Sequence, residues 1–226
     1  MNTMKHLFFP FLATALLLVS CGEASNDEAK TSSDAATENA SIGLTDGLYV
    51  INKVKPKVTW SAEKLTGEGH EGNMYIQAGK FAVESGEIKN GVVTFDMARI
   101  EVTDLTGESK ENLEGHLRSG DFFNVEAHPQ AVLVVNSVTT SESGENTLNG
   151  TLTMNGVAAD YNIPVVLVEA DVPGGVKGLA IQGKFNLDRT KHNITYHSKT
   201  FDDKLDWFIK DDVVVGFSVI GTPSAM

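Results

Sequence analysis

The chain has 226 residues and a formal net charge of −12. This acidic balance disfavours nucleic acid and anionic lipid headgroups as partners, because phosphate binding requires clustered Lys and Arg side chains. A single cysteine excludes a disulfide scaffold, so the folded part must depend on a packed core.

The first twenty residues have the pattern of a secretory signal. Lys5 and His6 form a short basic start, and the apolar run 7–19 follows. This run is shorter than the roughly 20 residues that a membrane-spanning helix needs. It ends in LVSC, which looks like a bacterial lipobox, whose cysteine is lipidated and becomes the mature N-terminus. The sequence therefore predicts a signal peptide at 1–20 and lipidation of Cys21.

Segment 21–46 has the composition of a flexible acidic linker. It is rich in Ala, Ser, Thr, Asp and Glu and has almost no large apolar residues, so it cannot bury enough surface to order itself. Removal of the signal, which carries one lysine and no acidic residue, would change the net charge to −13. Acyl chains on Cys21 would then have to hold the protein at the membrane. We predict an extracytoplasmic, membrane-anchored bacterial lipoprotein that faces the periplasm or the cell surface.

The remainder, 47–226, is long enough for one sizeable core and reads as β-structure. Apolar residues alternate with polar ones between Gly- and Asn-containing turn signals, among them Ser85-Gly86, Asn90-Gly91 and Asn155-Gly156. Many short strands without helices between them favour a closed antiparallel barrel or a sandwich. The clearest alternating faces are Val58, Trp60 and Ala62; Leu148, Gly150, Leu152 and Met154; Leu179, Ile181, Gly183, Phe185 and Leu187; and Val213, Val215, Phe217 and Val219.

One strand changes phase partway along. In VVTFDMARIEV, Phe95 and Met97 fall on one face, whereas Ile100 and Val102 fall on the other. A β-bulge near Ala98-Arg99 would bring both pairs to the same side.

A short helix interrupts the strands at 108–120. Leu113 and Leu117 are four residues apart, and the segment ends at a glycine. Phe122 and Phe123 follow directly, and neighbouring residues of a regular strand would point to opposite faces. A helix and its exit loop laid across one end of a barrel would give both rings an apolar environment.

A scattered set of residues resembles the YceI-like family of extracytoplasmic, lipocalin-like proteins. The resemblance extends from about residue 48 to 219, and its most specific part is the GHL and DFF pair of motifs. Its members are Trp60, Gly67, His70, Gly72, Gly91, Phe95-Asp96-Met97, Asp104-Leu105, Gly115-His116-Leu117, Asp121-Phe122-Phe123, His128-Pro129, Leu152, Gly156-Val157, Asp188-Arg189 and Tyr196-His197-Ser198.

The resemblance implies an eight-stranded antiparallel barrel over 47–226, partly capped by a helix. It further implies a long isoprenoid, such as a quinone, in the lumen for storage or transport, with no other cofactor and no enzymatic activity. A homodimer is compatible with it. The stretch 188–212 is longer than in many relatives, which leaves the shape of one rim open.

Large inward side chains are the predicted ligand contacts. Methionine suits a flexible chain because it repacks easily. Gly150 and Gly183 on the same faces would either leave volume unfilled or let neighbouring strands coil tightly. The predicted contacts are Trp60, Met74, Phe95, Met97, Phe122, Phe123, Met154, Phe185 and Phe217.

Two other functions remain open at this point. The protein could be a structural or stress-related surface lipoprotein with a filled barrel. A metal-dependent enzyme is disfavoured, because no histidines have a metal-ligand spacing and the one cysteine is assigned to the lipid. We therefore predict no metal site. His70 and His116 are expected to be structural and to donate to backbone carbonyls, although they could face one another in space.

Overall fold

Alternating sequence patterns form nine strands in the computed structural model, which describes residues 44–52 and 57–224. One helix, α1 (Gly107–Arg118), follows the fourth strand, and a 3₁₀ turn (Arg189–His192) follows the eighth. The predicted signal peptide and Cys21 lie outside the described residues. The strands are β1 (Gly47–Ile51), β2 (Lys57–Glu63), β3 (Gly69–Glu84), β4 (Glu87–Val102), β5 (Gln130–Thr140), β6 (Asn146–Met154), β7 (Val157–Val172), β8 (Val176–Asp188) and β9 (Asp212–Pro223).

The strands close into a barrel. Consecutive strands from β2 to β9 pair antiparallel, and β9 returns to pair with β2. β1 and β2 occupy successive parts of one position between β3 and β9: Gly47 of β1 pairs with Val83, and Val50 pairs with Thr222. The nine segments therefore make the closed eight-stranded antiparallel barrel that the family resemblance implies, and not the sandwich that the strand pattern alone left open.

Because neighbouring strands run in opposite directions, their connections alternate between two rims. We call the helix rim the end at which β2, β4, β6 and β8 finish and from which α1 leaves. The far rim is the opposite end, at which β3, β5, β7 and β9 finish. Segment 44–46 enters the barrel at the far rim, next to the β3–β4 turn.

The phase change in β4 is accommodated as predicted. The register between β3 and β4 is irregular between Asp96 and Glu101, a stretch that includes Ala98-Arg99. Met97 and Ile100 are consequently both buried inside the barrel. The bulge turns the end of β4 without exposing its apolar residues.

Two interior glycines leave room for phenylalanine residues on the neighbouring strands. The turn predicted at Asn90-Gly91 is wrong, because both residues lie within β4 and a Cβ on Gly91 would be 2.9 Å from the Cβ of Phe81. A Cβ on Gly183 would be 2.5 Å from Cζ of Phe217. These glycines are therefore required by cross-strand packing, not by a turn.

α1 and its exit loop cover part of the helix rim, and the prediction of a helix at 108–120 is confirmed. Glu114 on α1 accepts a hydrogen bond from the backbone N–H of Val102 at 3.0 Å, which ties the helix to the end of β4. Leu117 and Phe122 are buried against the interior. No helix in the described part of the chain is long and apolar enough to cross a membrane.

The segment after β8 covers the rest of this rim through one buried arginine. Arg189 is 3% exposed, and its guanidinium donates to the carbonyls of Ile194 (2.8 Å), Lys210 (3.1 Å) and Ile209 (3.2 Å). Asp211 lies 3.4 Å from the same guanidinium. The buried Arg189 side chain thus holds the long 188–212 stretch against the barrel.

Candidate functional site

The barrel encloses an apolar cavity of about 210 Å³, which we call the lumen. Its wall includes residues from all nine strands of the described barrel and exposes almost no nitrogen or oxygen atoms. Along β4 the lining extends from Ile88 near the far rim to Ile100 near the helix rim. With about 3.3 Å per residue and a strand tilt near 40°, this corresponds to about 25–30 Å along the barrel axis. The lumen is therefore narrow and long.

All nine residues predicted as ligand contacts lie in the lumen wall, contributed by six strands and the loop after α1. Met97, Phe122 and Met154 are buried. The other six face the interior yet retain accessible surface, as side chains that border free space must. Their role in binding a ligand stays a prediction.

Sequence reasoning missed a second group of wall residues. Val93, Leu133 and Ile163 line the lumen from β4, β5 and β7. Leu133 lies in the apolar run AVLVV and Val93 follows another valine, so alternation did not mark their faces, and aromatic and methionine residues stood out more. Neither Gly150 nor Gly183 lines the lumen. The free space therefore does not come from those interior glycines.

The volume of the lumen sets a limit on its occupant. A cavity of about 150 Å³ accepts benzene, whereas sites for larger ligands usually measure about 300–1,000 Å³. At about 210 Å³, the lumen can hold a short apolar chain as it stands. A longer chain requires wall side chains to change rotamer, which Met, Leu and Ile can do without exposing polar groups.

Trp60 borders the lumen and carries an unpaired donor. Its ring lies against Gly72, where a Cβ would be 2.7 Å from Cε2 and Cζ2. Its Nε1 is buried without a hydrogen-bond partner in the described structure. A buried unpaired donor costs about 1–3 kcal/mol. The packing of the indole against the lumen wall must offset that cost.

A buried polar pair supports the lumen wall at the helix rim. His192 is fully buried; its Nδ1–H donates to the carbonyl of Val157 at 2.9 Å, and its Nε2 accepts from the hydroxyl of Tyr161 at 2.9 Å. Burial lowers the pKa of His192 and raises the pKa of Tyr161 to about 12. Both groups are therefore neutral near pH 7, and the pair fixes the 3₁₀ turn against β7. Sequence reasoning did not find this pair, because its members are far apart in the chain.

Two other described histidines are paired with carboxylates. His70 lies 2.8 Å from a carboxylate oxygen of Asp104, and His116 lies 3.0 Å from one of Asp121. The expectation that both donate to backbone carbonyls is therefore wrong: their side-chain partners are carboxylates. Within residues 44–52 and 57–224, no group of three His, Cys, Asp or Glu side chains is placed to hold a metal ion.

A closed antiparallel barrel with an apolar lumen and a helix at one rim defines the lipocalin-like class of folds. Residues 49–220 match the family model described as the YceI-like domain, and the chain belongs to this family. The chain is also 32% identical over 139 residues to Protein YceI of Salmonella newport, a match that covers 55% of this chain and 72% of that protein.

Solved structures show the same fold. BcnA of Burkholderia cenocepacia matches with a TM-score of 0.58 at 16% identity, covering 75% of this chain and 98% of that chain. A polyisoprenoid-binding domain from Saccharophagus degradans, implicated in plant cell wall breakdown, matches with a TM-score of 0.58 at 11% identity and coverages of 78% and 98%. A Campylobacter jejuni YceI protein matches with a TM-score of 0.51 at 19% identity, covering 91% of this chain and 100% of that chain.

Proposed function

We propose that this protein is a membrane-anchored lipoprotein that binds one long apolar chain, an isoprenoid or a similar lipid, in its lumen for storage or transport. The observation that carries the proposal is the elongated lumen, whose wall exposes almost no polar atoms. A relative of the same fold is a polyisoprenoid-binding domain, which supports the ligand class. The protein's role in this proposal is binding and not catalysis.

The energetics favour a long chain. Each buried methylene contributes about 0.8 kcal/mol, and association costs about 4–15 kcal/mol. On these values about 5–20 methylenes must be buried before binding becomes favourable. A lumen about 25–30 Å long offers that contact only to an extended chain.

Anchoring belongs to the same proposal and rests on the sequence. The cysteine of LVSC, Cys21, follows an apolar run of signal-peptide length. Acylation at Cys21 would place the barrel outside the cytoplasm, at the membrane that supplies its ligand. Stable anchoring requires more than one acyl chain, because a single chain binds membranes only marginally.

Lipid analysis of the protein from its own host tests the ligand directly. After gentle purification, organic extraction and mass spectrometry should find a stoichiometric isoprenoid or other long-chain lipid. The Val93→Phe variant, which places a larger side chain in the lumen wall, should carry less lipid than the matched outward variant Val134→Phe. Extracts without any apolar molecule from the unmodified protein would favour a structural lipoprotein.

A further inference from the structure

The two rims of the barrel are closed to different degrees. At the helix rim, α1 covers the interior, Phe122 and Ile194 are buried, and Arg189 binds three carbonyls of the covering segment. A ligand could pass there only if this hydrogen-bonded cover came apart. The helix rim is therefore the closed end of the lumen.

The far rim has a second, shallow hollow of about 300 Å³ that adjoins the lumen, and we call it the vestibule. Ile88 and Val138 line both spaces, so the two are adjacent. In contrast to the lumen, the vestibule mixes polar and apolar surface. Its lining residues are Leu44, Gly86, Glu87, Ile88, Val138, Thr139, Thr140 and Leu167.

Segment 44–46 contributes Leu44 to the lining of the vestibule and is held in place. Leu44 packs against the core, and Asp46 accepts hydrogen bonds from the backbone N–H groups of Ser85 and Gly86, both at 2.9 Å. Tyr49 donates to the carbonyl of Thr45 at 3.0 Å. The donors of the β3–β4 turn are consequently used within the protein and are not available to an anion.

The side chains around the vestibule carry a net negative charge, because carboxylates outnumber lysines and each lysine is paired with a carboxylate. Glu87 lines it and is paired with Lys89, and the other lysine near this rim, Lys177, lies 2.7 Å from Asp171 and 2.9 Å from Glu169. The described far-rim turns carry three further carboxylates: Glu84, which shares Lys89 with Glu87, and Glu142 and Glu145, which form no ion pair in the described part of the chain. A phosphate at this position would meet repulsion and no unpaired cation among these described turns.

We propose that the vestibule holds the headgroup of the lumen-bound ligand and selects one without charge, such as a hydroxyl, an amide or a quinone carbonyl, over a phosphate or diphosphate. This inference rests on the proposed function. The lumen wall offers almost no polar atoms, so a polar headgroup must lie outside it, and the closed helix rim leaves the far rim. The hydroxyl of Thr140 donates to Asn146 Oδ1 at 2.7 Å, which leaves its oxygen free to accept a hydrogen bond from an uncharged headgroup.

Two probes with the same tail, geranylgeraniol and geranylgeranyl diphosphate, test the selection. The assay is the fluorescence of Trp60 in delipidated Trp207→Phe protein, in which Trp60 is the remaining tryptophan. We expect the alcohol to bind at least tenfold more tightly, with the difference shrinking at high salt as charges are screened. Glu87→Lys should reduce the preference at least threefold, whereas Glu126→Lys, an equal charge change outside the vestibule lining, should not.

The possible failures are distinguishable. Equal or tighter binding of the diphosphate overturns the headgroup inference and leaves the proposed function intact. Equal effects of the Glu87 and Glu126 variants would mean that net charge selects and the vestibule does not, which also overturns it. If neither probe binds, the proposed function fails, and the inference fails with it.

Discussion

Filling the lumen should stabilise the protein, which is the opposite of what enlarging a core residue usually does. At about 24 cal/mol per Å³, a cavity of 210 Å³ represents about 5 kcal/mol of unrealised packing free energy. Val93 and Val215 both line the lumen and are only partly buried. If Phe at both positions filled half the lumen, the free energy of unfolding would rise by about 2.5 kcal/mol, and Tm by about 5–10 °C for a domain of this size.

Thermal unfolding of delipidated protein measures this, because a bound ligand would itself raise Tm. The outward variant Val134→Phe, at a position that is 45% exposed, should change stability by no more than about 0.5 kcal/mol. The filled variant should also lose binding of geranylgeraniol. A loss of about 1–3 kcal/mol at Val93 or Val215 is the signature of overpacking. That result would show a solid interior and would refute both the lumen and the proposed function.

Three further predictions concern the helix rim. Burial lowers the pKa of His192 in the folded protein below its value in the unfolded chain. Its contribution to the free energy of unfolding is therefore complete above about pH 6.5 and is lost as pH falls, by up to about 1.4 kcal/mol per pH unit. In thermal melts from pH 7 to 5, stability should fall less steeply with pH in His192→Gln than in the unmodified protein. Arg189→Met should cost at least about 3 kcal/mol in denaturant unfolding, because each carbonyl left buried without a donor costs about 1–3 kcal/mol. Phe122→Ala should lower stability by about 3–5 kcal/mol. Phe123 is half-buried, so Phe123→Ala should lower Tm less than Phe122→Ala does and should weaken lipid retention more, with both measured on the same preparations. If the ratio of lost lipid to lost Tm is the same in the two variants, the two rings do not have separate roles.

The strands could be predicted because the interior repeats one simple requirement, whereas the choice of a barrel over a sandwich came from the family resemblance. Every second residue of each strand must be apolar, and β9 meets this with Val213, Val215, Phe217 and Val219, all of which line the lumen. The bulge in β4 was also visible, since a change of apolar phase leaves few other ways to keep Met97 and Ile100 inside.

The remaining features depend on contacts between distant residues, for which a single sequence contains no periodic signal. Asn90-Gly91 has the composition of a turn, yet Gly91 is required by Phe81 on the adjacent strand. In the same way, nothing in the local sequence shows that Arg189 binds carbonyls about twenty residues further along. The lumen residues could be chosen by face, but the free volume depends on how all their side chains pack together.

The two rims of the barrel differ in the kind of contacts that hold them closed. Buried polar contacts, such as the Arg189 hydrogen bonds and the Tyr161–His192 pair, lie at the helix rim, where breaking them would be costly. At the far rim, segment 44–46 is held mainly by exposed hydrogen bonds, which are individually weak. Local opening takes place where the fewest buried contacts are lost. We therefore expect segment 44–46 to open before the helix rim does. This segment, which contributes Leu44 to the vestibule, is the end of the stretch 21–46 that the sequence predicts to be a linker.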